Sequence, residues 1–420
     1  MVEVNARLSD SLPPLIFGTA TFNTQYNKDP YALGTTGLVR KALEHGIRAF
    51  DTSPYYGPSE ELLGAALSDA SISTEFPRSQ YHLLTKVGRI ASSEFDYSPA
   101  SVRKSVDRSL KRLHTTYLDV VYCHDVEFVT QDEAMAAVRE LRRIRDESGK
   151  VKFIGISGYP LEVLCQLAER VLHETGEPLD AVMSYANFTL QNTTLAGAGI
   201  KRLQAARVDV VPNASPLGMG LLRRDGPPVG VIDFHPAGND LRQAVQVASD
   251  FCDSHGERLE VVAIRFALET WLRDGSAVGS RGDPASGVRE RVEHIEQLGV
   301  NKLGVSVIGV STLGELEKSL QVWRSILDGL ENGQATANAA GRWRKDHEWS
   351  LNRQKAVQLL AEGIQESLGD WLDHTWPSPP VGYVNQRKPL SPEEAPWPTP
   401  AASPDPEELK LPETQRLPLR

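Results

Sequence analysis

The sequence contains few cysteines, no spacing typical of a metal site and no long apolar segment. Its three cysteines, Cys123, Cys165 and Cys252, are widely separated, and neither a CxxC pair nor an HExxH motif occurs. Neither a disulfide framework nor a metal site is therefore expected. No run approaches the roughly 18 apolar residues that span a bilayer, and the sequence does not open on a basic segment followed by an apolar one. We expect a cytoplasmic protein in a reducing environment.

The sequence also lacks an excess of positive charge. It has 45 lysines and arginines against 55 aspartates and glutamates, which gives a formal net charge of −10. Such a chain has no electrostatic footprint for nucleic acid or for an anionic membrane, so neither is expected as a partner. With 40% apolar and 24% charged residues, the composition is that of a globular protein.

Short apolar runs recur along the chain, separated by segments with helical periodicity. Runs such as LDVVYC and VDVVPN are nearly continuous in apolar residues, as expected for parallel strands that are covered on both faces. Eight such runs are present, at Leu15–Gly18, Arg48–Asp51, Tyr81–Lys86, Leu118–His124, Phe153–Ser157, Ala181–Ser184, Val208–Asn213 and Val305–Gly309.

Amphipathic segments follow these strands in turn. Ser59 before two glutamates, and Ser98 followed by Pro99, are typical of helix N-termini. The segments are Thr36–His45, Ser59–Ser68, Pro99–Leu113, Asp132–Glu147, Leu161–His173, Ile200–Ala206, Leu241–His255 with Leu259–Arg273, and Leu313–Leu330. Eight alternating strand–helix units predict an α/β fold, a (β/α)8 TIM barrel, which typically needs about 250 residues.

The remaining residues are predicted to lie outside the repeating units. We predict one barrel domain over residues 12–333, lengthened by an insertion at 273–302 before the eighth strand. A helical extension follows at 334–376. Of the 27 prolines, 12 lie in residues 377–420, a segment rich in proline and glutamate that cannot bury a core. This tail is predicted to be disordered.

Ionisable side chains lie at the predicted carboxyl ends of three adjacent strands. Asp51 ends the second strand, Lys86 the third and His124 the fourth, and Tyr56 follows Asp51 by five residues. In a barrel these ends meet at one mouth, where catalytic side chains gather. A single residue of this kind is usually a helix cap or a solvated loop residue. Four of them on neighbouring strand ends indicate a catalytic site.

These four residue types suit one kind of chemistry. A free tyrosine, with a pKa near 10, exchanges protons poorly at neutral pH. A neighbouring lysine ammonium lowers that pKa, and a carboxylate keeps the lysine charged and in place. We predict that Tyr56 exchanges the proton, that Asp51 holds Lys86 beside it, and that His124 binds the reacting oxygen. The set suits the interconversion of a carbonyl and an alcohol beside a hydride carrier.

The loops after the seventh and eighth strands are candidates for binding that carrier. Gly218 and Gly220 form a G-x-G, but a proline interrupts the loop and no third glycine follows, so it is not a dinucleotide fingerprint. A tight loop explains these glycines equally well. Barrels nevertheless bind phosphates at these two loops. Gly309, Ser311 and Thr312 precede a helix whose first backbone amides suit a phosphate or a ribose.

At these residues the sequence resembles the aldo-keto reductases. Within the family it is most similar to the branch of fungal D-arabinose 1-dehydrogenases and plant-type L-galactose dehydrogenases. The resemblance covers about residues 12–330 and implies a TIM barrel, a nicotinamide cofactor and oxidoreductase activity. The matching blocks are FDTSPYYGPSEELLG (50–64), LLTKVGR (83–89), LDVVYCHDVEF (118–128), FIGISGYP (153–160), NASPLGMGLL (213–222) and VIGVSTLGELEKSL (307–320).

The resemblance also implies roles for individual residues. Carried onto this sequence, the catalytic tetrad of the family is Asp51, Tyr56, Lys86 and His124, and the spacing from Asp51 selects Tyr56 over Tyr55. Ser157 is followed by glycine instead of the usual asparagine, and Ser184 stands where glutamine is usual. The implied cofactor-binding residues are Gly18, Thr19, Ser157, Ser184, Ser215, Leu217, Gly218, Gly309, Ser311, Thr312 and Glu315.

Glu315 bears on the choice between NAD and NADP. Members of the family that prefer NADP commonly carry a lysine or arginine in this region, which pairs with the 2′-phosphate. A carboxylate would repel that phosphate and could accept a hydrogen bond from a ribose hydroxyl. Alternatively, Glu315 only compensates the dipole of the helix in which it lies. We expect NAD, with NADP as the alternative, and no metal.

The resemblance implies a dehydrogenase that oxidises the C1 hydroxyl of an aldose, such as D-arabinose, L-galactose or L-fucose, to the 1,4-lactone. Tyr56 would be the proton acceptor. His124, Tyr55 and His235 are the expected substrate contacts, and a position in a solvated loop explains His235 equally well. Two alternatives stay open: an NADPH-dependent aldehyde or pyridoxal-type reductase, and a non-catalytic cofactor-binding regulatory subunit. The sequence leaves the oligomeric state open.

Overall fold

Eight parallel strands form the centre of the molecule. The computed structural model describes residues 6–227, 235–284, 302–330 and 347–387. Each strand pairs with the next in chain order, and the eighth pairs with the first, so the sheet closes into a barrel. The strands are β1 Leu15–Gly18, β2 Ala49–Asp51, β3 His82–Val87, β4 Leu118–His124, β5 Val151–Gly158, β6 Ala181–Tyr185, β7 Asn213–Ala214 and β8 Ser306–Gly309. The prediction of a (β/α)8 barrel is confirmed.

Helices surround this barrel. Helix α5 begins with a capping box, in which Thr130 Oγ1 accepts from the Glu133 amide and Glu133 Oε2 accepts from the Thr130 amide. Ser98 caps α4, as predicted. The helices are α1 Thr35–Glu44, α2 Ser59–Ser68, α3 Ala70–Ser73, α4 Pro99–Arg112, α5 Gln131–Ser148, α6 Leu161–Thr175, α7 Ala198–Ala205, α8 Asn239–Ser254, α9 Leu259–Asp274, α10 Leu313–Leu330 and α11 His347–Leu368.

Side chains fill the interior of the barrel. The ring of Tyr122 on β4 is completely buried there. Gly155 on the neighbouring strand makes room for it, since a Cβ at that position would lie 2.6 Å from Tyr122 Cδ1. Leu8 and Leu12, which precede β1, belong to the same buried cluster. The interior is thus a packed core, and the carboxyl-end mouth is left for the site.

The seventh strand is shorter than predicted and begins later. We expected Val208–Asn213, whereas the regular strand is Asn213–Ala214, and before it only Val210 forms an isolated bridge with Ala181. Pro212 lies between the two pairings and has no backbone N–H to donate to a neighbouring strand. Its carbonyl still accepts from the Ser184 amide over 3.1 Å. The chain follows the expected path, but the proline interrupts the ladder.

The predicted insertion and helical extension are partly described. Residues 285–301 of the insertion lie outside the described residues, and on either side of them Ser280 and Leu303 form an antiparallel bridge. Of the extension, α11 covers residues 347–368 and packs against α8, α9 and α10. Its buried side chains recur at helical spacing, at Val357, Ala361, Ile364 and Leu368.

The boundary predicted for the disordered tail requires a correction. Residues 376–387, which we call the strap, lie against the mouth end of the barrel. Asn385 exchanges two hydrogen bonds with the Phe95 backbone, at 2.9 and 3.0 Å, and Arg387 pairs with Asp96 at 2.9 Å. Composition suggested that this segment could not bury a core, but it packs onto aromatic residues that the barrel already presents. Residues 388–420 lie outside the described residues. No helix in the described part of the chain could cross a membrane.

Candidate active site

Asp51, Tyr56, Lys86 and His124 converge at the carboxyl ends of β2, β3 and β4. Lys86 Nζ lies 2.7 Å from Asp51 Oδ1 and 2.9 Å from the Thr52 carbonyl oxygen. The same nitrogen lies 4.8 Å from the centre of the Tyr56 ring. Asp51 and Lys86 are 3% and 2% exposed. The structure therefore brings together the four residues that the sequence singled out.

Burial and the Lys86 ammonium have opposite effects on the pKa of Tyr56. Burial raises the pKa of Tyr56 to about 12, and the nearby Lys86 ammonium offsets only part of this increase. Lys86 lowers this pKa, as predicted, but in the protein alone the loss of hydration outweighs the effect of one neighbouring charge. Burial also tends to lower the pKa of Lys86, but Asp51 and Tyr56 raise it above its usual value. Lys86 therefore remains an ammonium.

His124 is neutral, and hydrogen bonding fixes its orientation. Burial lowers the pKa of His124 well below its usual value, and Lys86 and Arg89 lower it further. Its Nδ1 lies 3.1 Å from Ser53 Oγ. That hydroxyl already accepts from the Tyr55 amide, so its own hydrogen is available to Nδ1. In the tautomer in which Ser53 donates to Nδ1, Nε2 carries the imidazole proton and can donate it to a ligand.

A charged pair that the sequence analysis did not single out lies beside His124. Arg89 donates to the Asp125 carboxylate, and its Nη2 donates to the Tyr55 hydroxyl over 3.1 Å. The guanidinium lies 3.8 Å from the centre of the Tyr55 ring. Asp125 Oδ2 lies 3.6 Å from His124 Nε2. The predicted substrate residue Tyr55 is thus part of a network that reaches His124.

The strap reaches the same region through Glu127. Glu127 Oε1 accepts from the Tyr159 amide at 3.1 Å and from the Ser378 hydroxyl at 3.0 Å. Burial, with a further contribution from the Asp125 carboxylate, raises the pKa of Glu127 to about 8. The opposite oxygen, Oε2, lies 2.5 Å from where a Cβ of residue 158 would be, so Gly158 leaves space for this carboxyl group.

Ser157 and Ser184 lie at the ends of adjacent strands, as expected. The register pairs His124 with Ser157 and Gly158 with Ser184. Ser184 Oγ accepts from Asn187 Nδ2 at 2.9 Å, and the same amide donates to the Tyr159 carbonyl at 2.6 Å. Asn187 was not predicted. It supplies a side-chain amide at the strand ends, where the sequence lacks the asparagine and glutamine that are usual in the family.

Gly18 and Thr19 lie at the end of β1, next to Asp51. The Thr19 amide and hydroxyl both donate to the Asp51 carbonyl, at 2.8 and 3.0 Å, and the hydroxyl also lies 2.6 Å from Ser59 Oγ. A Cβ at Gly18 would lie 3.0 Å from Val307 Cγ1. Thr19 is completely buried. In this structure, Thr19 holds the backbone at the end of β2, and Gly18 allows close packing against β8.

The loop after β7 is turned by residues in the left-handed backbone region. Ser215, Gly218, Met219 and Gly220 all have positive φ angles, between 56° and 90°. Successive turns of this kind can point backbone amides into a concavity that binds an anion. The Leu217 carbonyl accepts from Gly220 and Leu222 amides and closes the turn. This geometry suits the cofactor-binding role that the resemblance implies for Ser215, Leu217 and Gly218.

His235 forms a hydrogen bond with the backbone of the loop after β7. Its Nε2 lies 2.8 Å from the Gly218 carbonyl oxygen, and its Nδ1 accepts from the Ala237 amide at 3.1 Å. The ring contacts Trp376 of the strap at 5.5 Å between centres. Both ring nitrogens are therefore used by the backbone. The structure does not bring His235 into contact with the tetrad, and the solvated-loop alternative does not apply because the residue is 5% exposed.

Ser311, Thr312 and Glu315 form the N-terminus of α10. Thr312 Oγ1 accepts from the Glu315 amide at 3.1 Å, and Glu315 Oε2 accepts from the Ser311 amide at 2.8 Å. Glu315 therefore caps the helix through a side-chain hydrogen bond. Its other oxygen lies 3.9 Å from Arg223 Nη1 in the loop after β7, so an arginine that the sequence analysis did not consider lies beside this helix N-terminus. Gly309, at the end of β8, is exposed.

Comparisons with known proteins agree with this geometry. Residues 14–335 match the model of the aldo/keto reductase family. The chain belongs to the aldo-keto reductase family. It is 44% identical over 270 residues to a D-arabinose 1-dehydrogenase of Saccharomyces cerevisiae, which covers 64% of this chain and 78% of the yeast protein. It is 36% identical over 297 residues to an L-galactose dehydrogenase of Arabidopsis thaliana, covering 70% and 84%. A D-threo-aldose 1-dehydrogenase of a Pseudomonas species is 28% identical over 269 residues, covering 58% and 78%.

An aldo-keto reductase is an oxidoreductase that works with a nicotinamide cofactor, and the residues present fit one. Ser157 lies beside His124 in the strand register, and Ser184 lies at the end of the next strand. The loop of left-handed residues follows β7, and the N-terminus of α10 lies beside that loop. These groups offer donors along a path from the tetrad to Glu315. Among the described residues, no cluster of three or more His, Cys, Asp or Glu side chains could hold a metal ion.

Sequence reasoning missed several polar residues of the aldo-keto reductase site. Asp125 and Glu127 follow His124 in the block CHDVEF, and Arg89 lies three residues after Lys86. Their proximity to the tetrad in sequence was a usable signal. Nothing local, however, distinguishes a charged residue that turns into a mouth from one that points to solvent. Ser378 gave no signal at all, because it lies in the proline-rich segment.

Proposed function

We propose that the enzyme oxidises the C1 hydroxyl of a cyclic aldose to the 1,4-lactone, with NAD as the hydride acceptor. The observation that carries the proposal is the convergence of Tyr56, Lys86 and His124 at one mouth, with Asp51 2.7 Å from the Lys86 ammonium. A tyrosine hydroxyl and a neutral imidazole can together bind one oxygen and exchange its proton. Oxidation of an alcohol carbon needs both actions at its oxygen.

His124, Tyr56 and Lys86 have different roles in the proposed reaction. His124 donates from Nε2 to the C1 oxygen and orients it, and Tyr56 accepts the hydroxyl proton as the C1 hydrogen leaves as hydride. When bound, the oxidised nicotinamide ring supplies the hydride acceptor and a positive charge. Because burial raises the pKa of Tyr56 to about 12, Tyr56 needs positive charge nearby to give up its own proton. Lys86, held by Asp51, supplies part of that charge, and the oxidised nicotinamide ring would add to it when bound.

The sugars in the names of the two relatives, D-arabinose and L-galactose, share one stereochemical configuration near C1. D-arabinose and L-galactose have the same configuration at C2, C3 and C4 and differ only beyond C4. An enzyme that contacts this part of the sugar would accept both, and L-fucose, which is 6-deoxy-L-galactose, as well. We therefore propose these three sugars as substrates. As cofactor we propose NAD, since the Glu315 carboxylate near Arg223 opposes binding of a 2′-phosphate.

Initial rates of NADH formation test the proposal. The purified full-length protein is assayed with D-arabinose, L-galactose and L-fucose, each with NAD and with NADP. Their mirror images L-arabinose, D-galactose and D-fucose serve as matched controls, because they have identical functional groups. We expect turnover of the first three with a marked preference over the controls, and a lactone as product. Reduction of aldehydes with NADPH in the absence of any aldose oxidation would instead support the reductase alternative.

A further inference from the structure

We infer that Asp125, held in place by Arg89, binds the hydroxyl group on C2 of the substrate. This inference rests on the proposed oxidation of an aldose and adds the residue that recognises the carbon next to the reacting one. Neither Asp125 nor Arg89 belongs to the tetrad or to the predicted cofactor-binding set. The pair makes the enzyme selective for sugars with a C2 hydroxyl over deoxy sugars.

Asp125 lies next to the atom that binds the reacting oxygen. Its Oδ2 is 3.6 Å from His124 Nε2, while His124 Nδ1 is occupied by the Ser53 hydroxyl. The backbone of Asp125 has a φ of 56°, in the left-handed region, directly after β4 ends. Aspartate adopts this conformation more readily than most residues. A molecule bound to His124 Nε2 therefore meets the Asp125 carboxylate.

Arg89 keeps this carboxylate in place. It donates to Asp125, and its guanidinium lies 3.8 Å from the Tyr55 ring centre and 5.4 Å from that of Phe95. Asp125 itself is only 3% exposed. A buried ion pair seldom stabilises a fold more than apolar side chains of the same size would. At this position the pair has another use, because it presents a carboxylate in a water-poor site as a hydrogen-bond acceptor.

A vicinal diol matches this arrangement. In an aldose the C1 and C2 oxygens are separated by about the length of a hydrogen bond when they are gauche. With the C1 oxygen bound to His124 Nε2, the C2 hydroxyl comes within reach of Asp125 Oδ2 and can donate to it. Hydrogen bonds to an ionised acceptor are among the stronger ones in proteins. A sugar without the C2 hydroxyl would leave the buried carboxylate with one acceptor site unsatisfied, which penalises that sugar.

The test compares D-arabinose with 2-deoxy-D-ribose, which is the 2-deoxy form of D-arabinose. Values of kcat/KM are measured for both sugars with the full-length wild type and with Asp125→Asn. We expect the wild type to prefer D-arabinose by about 10- to 100-fold. In Asp125→Asn that preference should fall towards unity, because kcat/KM for D-arabinose drops while that for 2-deoxy-D-ribose changes little. The comparison within each enzyme cancels any general loss of activity.

Asp119 provides a matched control. It lies on β4, near the end of the strand opposite to Asp125, is 4% exposed and pairs with Arg78 at 2.6 Å. Asp119→Asn should leave the sugar preference unchanged. If Asp125→Asn lowers kcat/KM for both sugars equally, Asp125 only supports the fold and the inference is overturned.

Two further measurements test the role of Asp125, one on a second variant and one on the wild type alone. Should Asp125→Asn not fold, Arg89→Lys is tested in the same way. Lysine keeps the positive charge but holds the Asp125 carboxylate less rigidly than the guanidinium does. We expect a smaller loss of the preference for D-arabinose over 2-deoxy-D-ribose. In the wild type alone, equal kcat/KM for the two sugars overturns the inference. Absence of NADH from every aldose is a different result, because it contradicts the proposed function itself.

Discussion

The Ser378 hydroxyl donates a hydrogen bond of 3.0 Å to Glu127 Oε1 and so joins the strap to the turn after β4, the strand that ends at His124. Two aromatic contacts lie on either side of this bond. Trp376 stacks on Tyr159 with ring centres 4.6 Å apart, and Tyr383 lies edge-on to Phe128 at 4.9 Å. A segment that the sequence suggested was disordered therefore covers residues directly connected to the active site.

Trp376 is expected to make a large contribution to stability. Its ring is 8% exposed and contacts both Tyr159 and His235. Replacing it with alanine should lower the free energy of unfolding by about 3 kcal/mol, because the aromatic contacts are lost and a cavity remains. Thermal or urea unfolding measures this change. The control is Trp349→Ala on α11, where the side chain is 40% exposed, and a loss there as large as that of Trp376→Ala would contradict the assignment.

Glu127 should make stability depend on pH in one direction. Burial raises its pKa to about 8, against about 4.3 in an unfolded chain. Between these values the folded protein holds a proton that the unfolded chain has released, so the free energy of unfolding falls as pH rises. Glu127→Gln cannot ionise. We expect its stability relative to the wild type to improve between pH 5 and pH 8, by on the order of 3 kcal/mol. Unfolding curves for the two proteins that shift in parallel over this range would rule out the raised pKa.

Tyr56 and Tyr55 should respond differently to the same substitution. Tyr56→Phe removes the proton acceptor, and we expect kcat to fall by about 1,000-fold, within the range typical of general acid–base catalysis. Cofactor binding, measured by quenching of protein fluorescence, should be retained. Tyr55→Phe removes only the hydroxyl that accepts from Arg89 at 3.1 Å, and should reduce kcat/KM by about tenfold or less. If kcat and kcat/KM fall by the same factors in Tyr55→Phe as in Tyr56→Phe, the choice of Tyr56 over Tyr55 is refuted.

Glu315 should influence the choice of cofactor through Arg223. Glu315→Gln keeps an oxygen to accept from the Ser311 amide but removes the negative charge 3.9 Å from the Arg223 guanidinium. A 2′-phosphate should then bind more easily, so we expect the ratio of kcat/KM with NADP to that with NAD to rise about tenfold. Glu317→Gln on the same helix, near Lys41 at 3.9 Å, is the control. Should both variants keep the wild-type ratio, Glu315 is only a helix cap.

Local sequence patterns were enough to predict the barrel and the tetrad. Alternating apolar runs and amphipathic segments determine strands and helices through interactions close in sequence, and parallel strands necessarily bring their carboxyl ends to one mouth. Asp51, Lys86 and His124 end strands, so their convergence followed from the topology alone. The seventh strand was predicted to begin too early, because Pro212 interrupts the strand pairing within an otherwise apolar run.

Only the tertiary structure determined the protonation and the hydrogen-bond partners of the site residues. The pKa of Tyr56 depends on how completely water is excluded from it, and the role of His235 depends on the Gly218 carbonyl that lies 2.8 Å from its ring. The strap lies at the mouth because Ser378 meets Glu127, 251 residues earlier in the chain. By itself, the sequence determined which residue types stand at the strand ends. Hydration and contacts between distant segments determined their protonation and their partners, because both depend on how the chain packs in three dimensions.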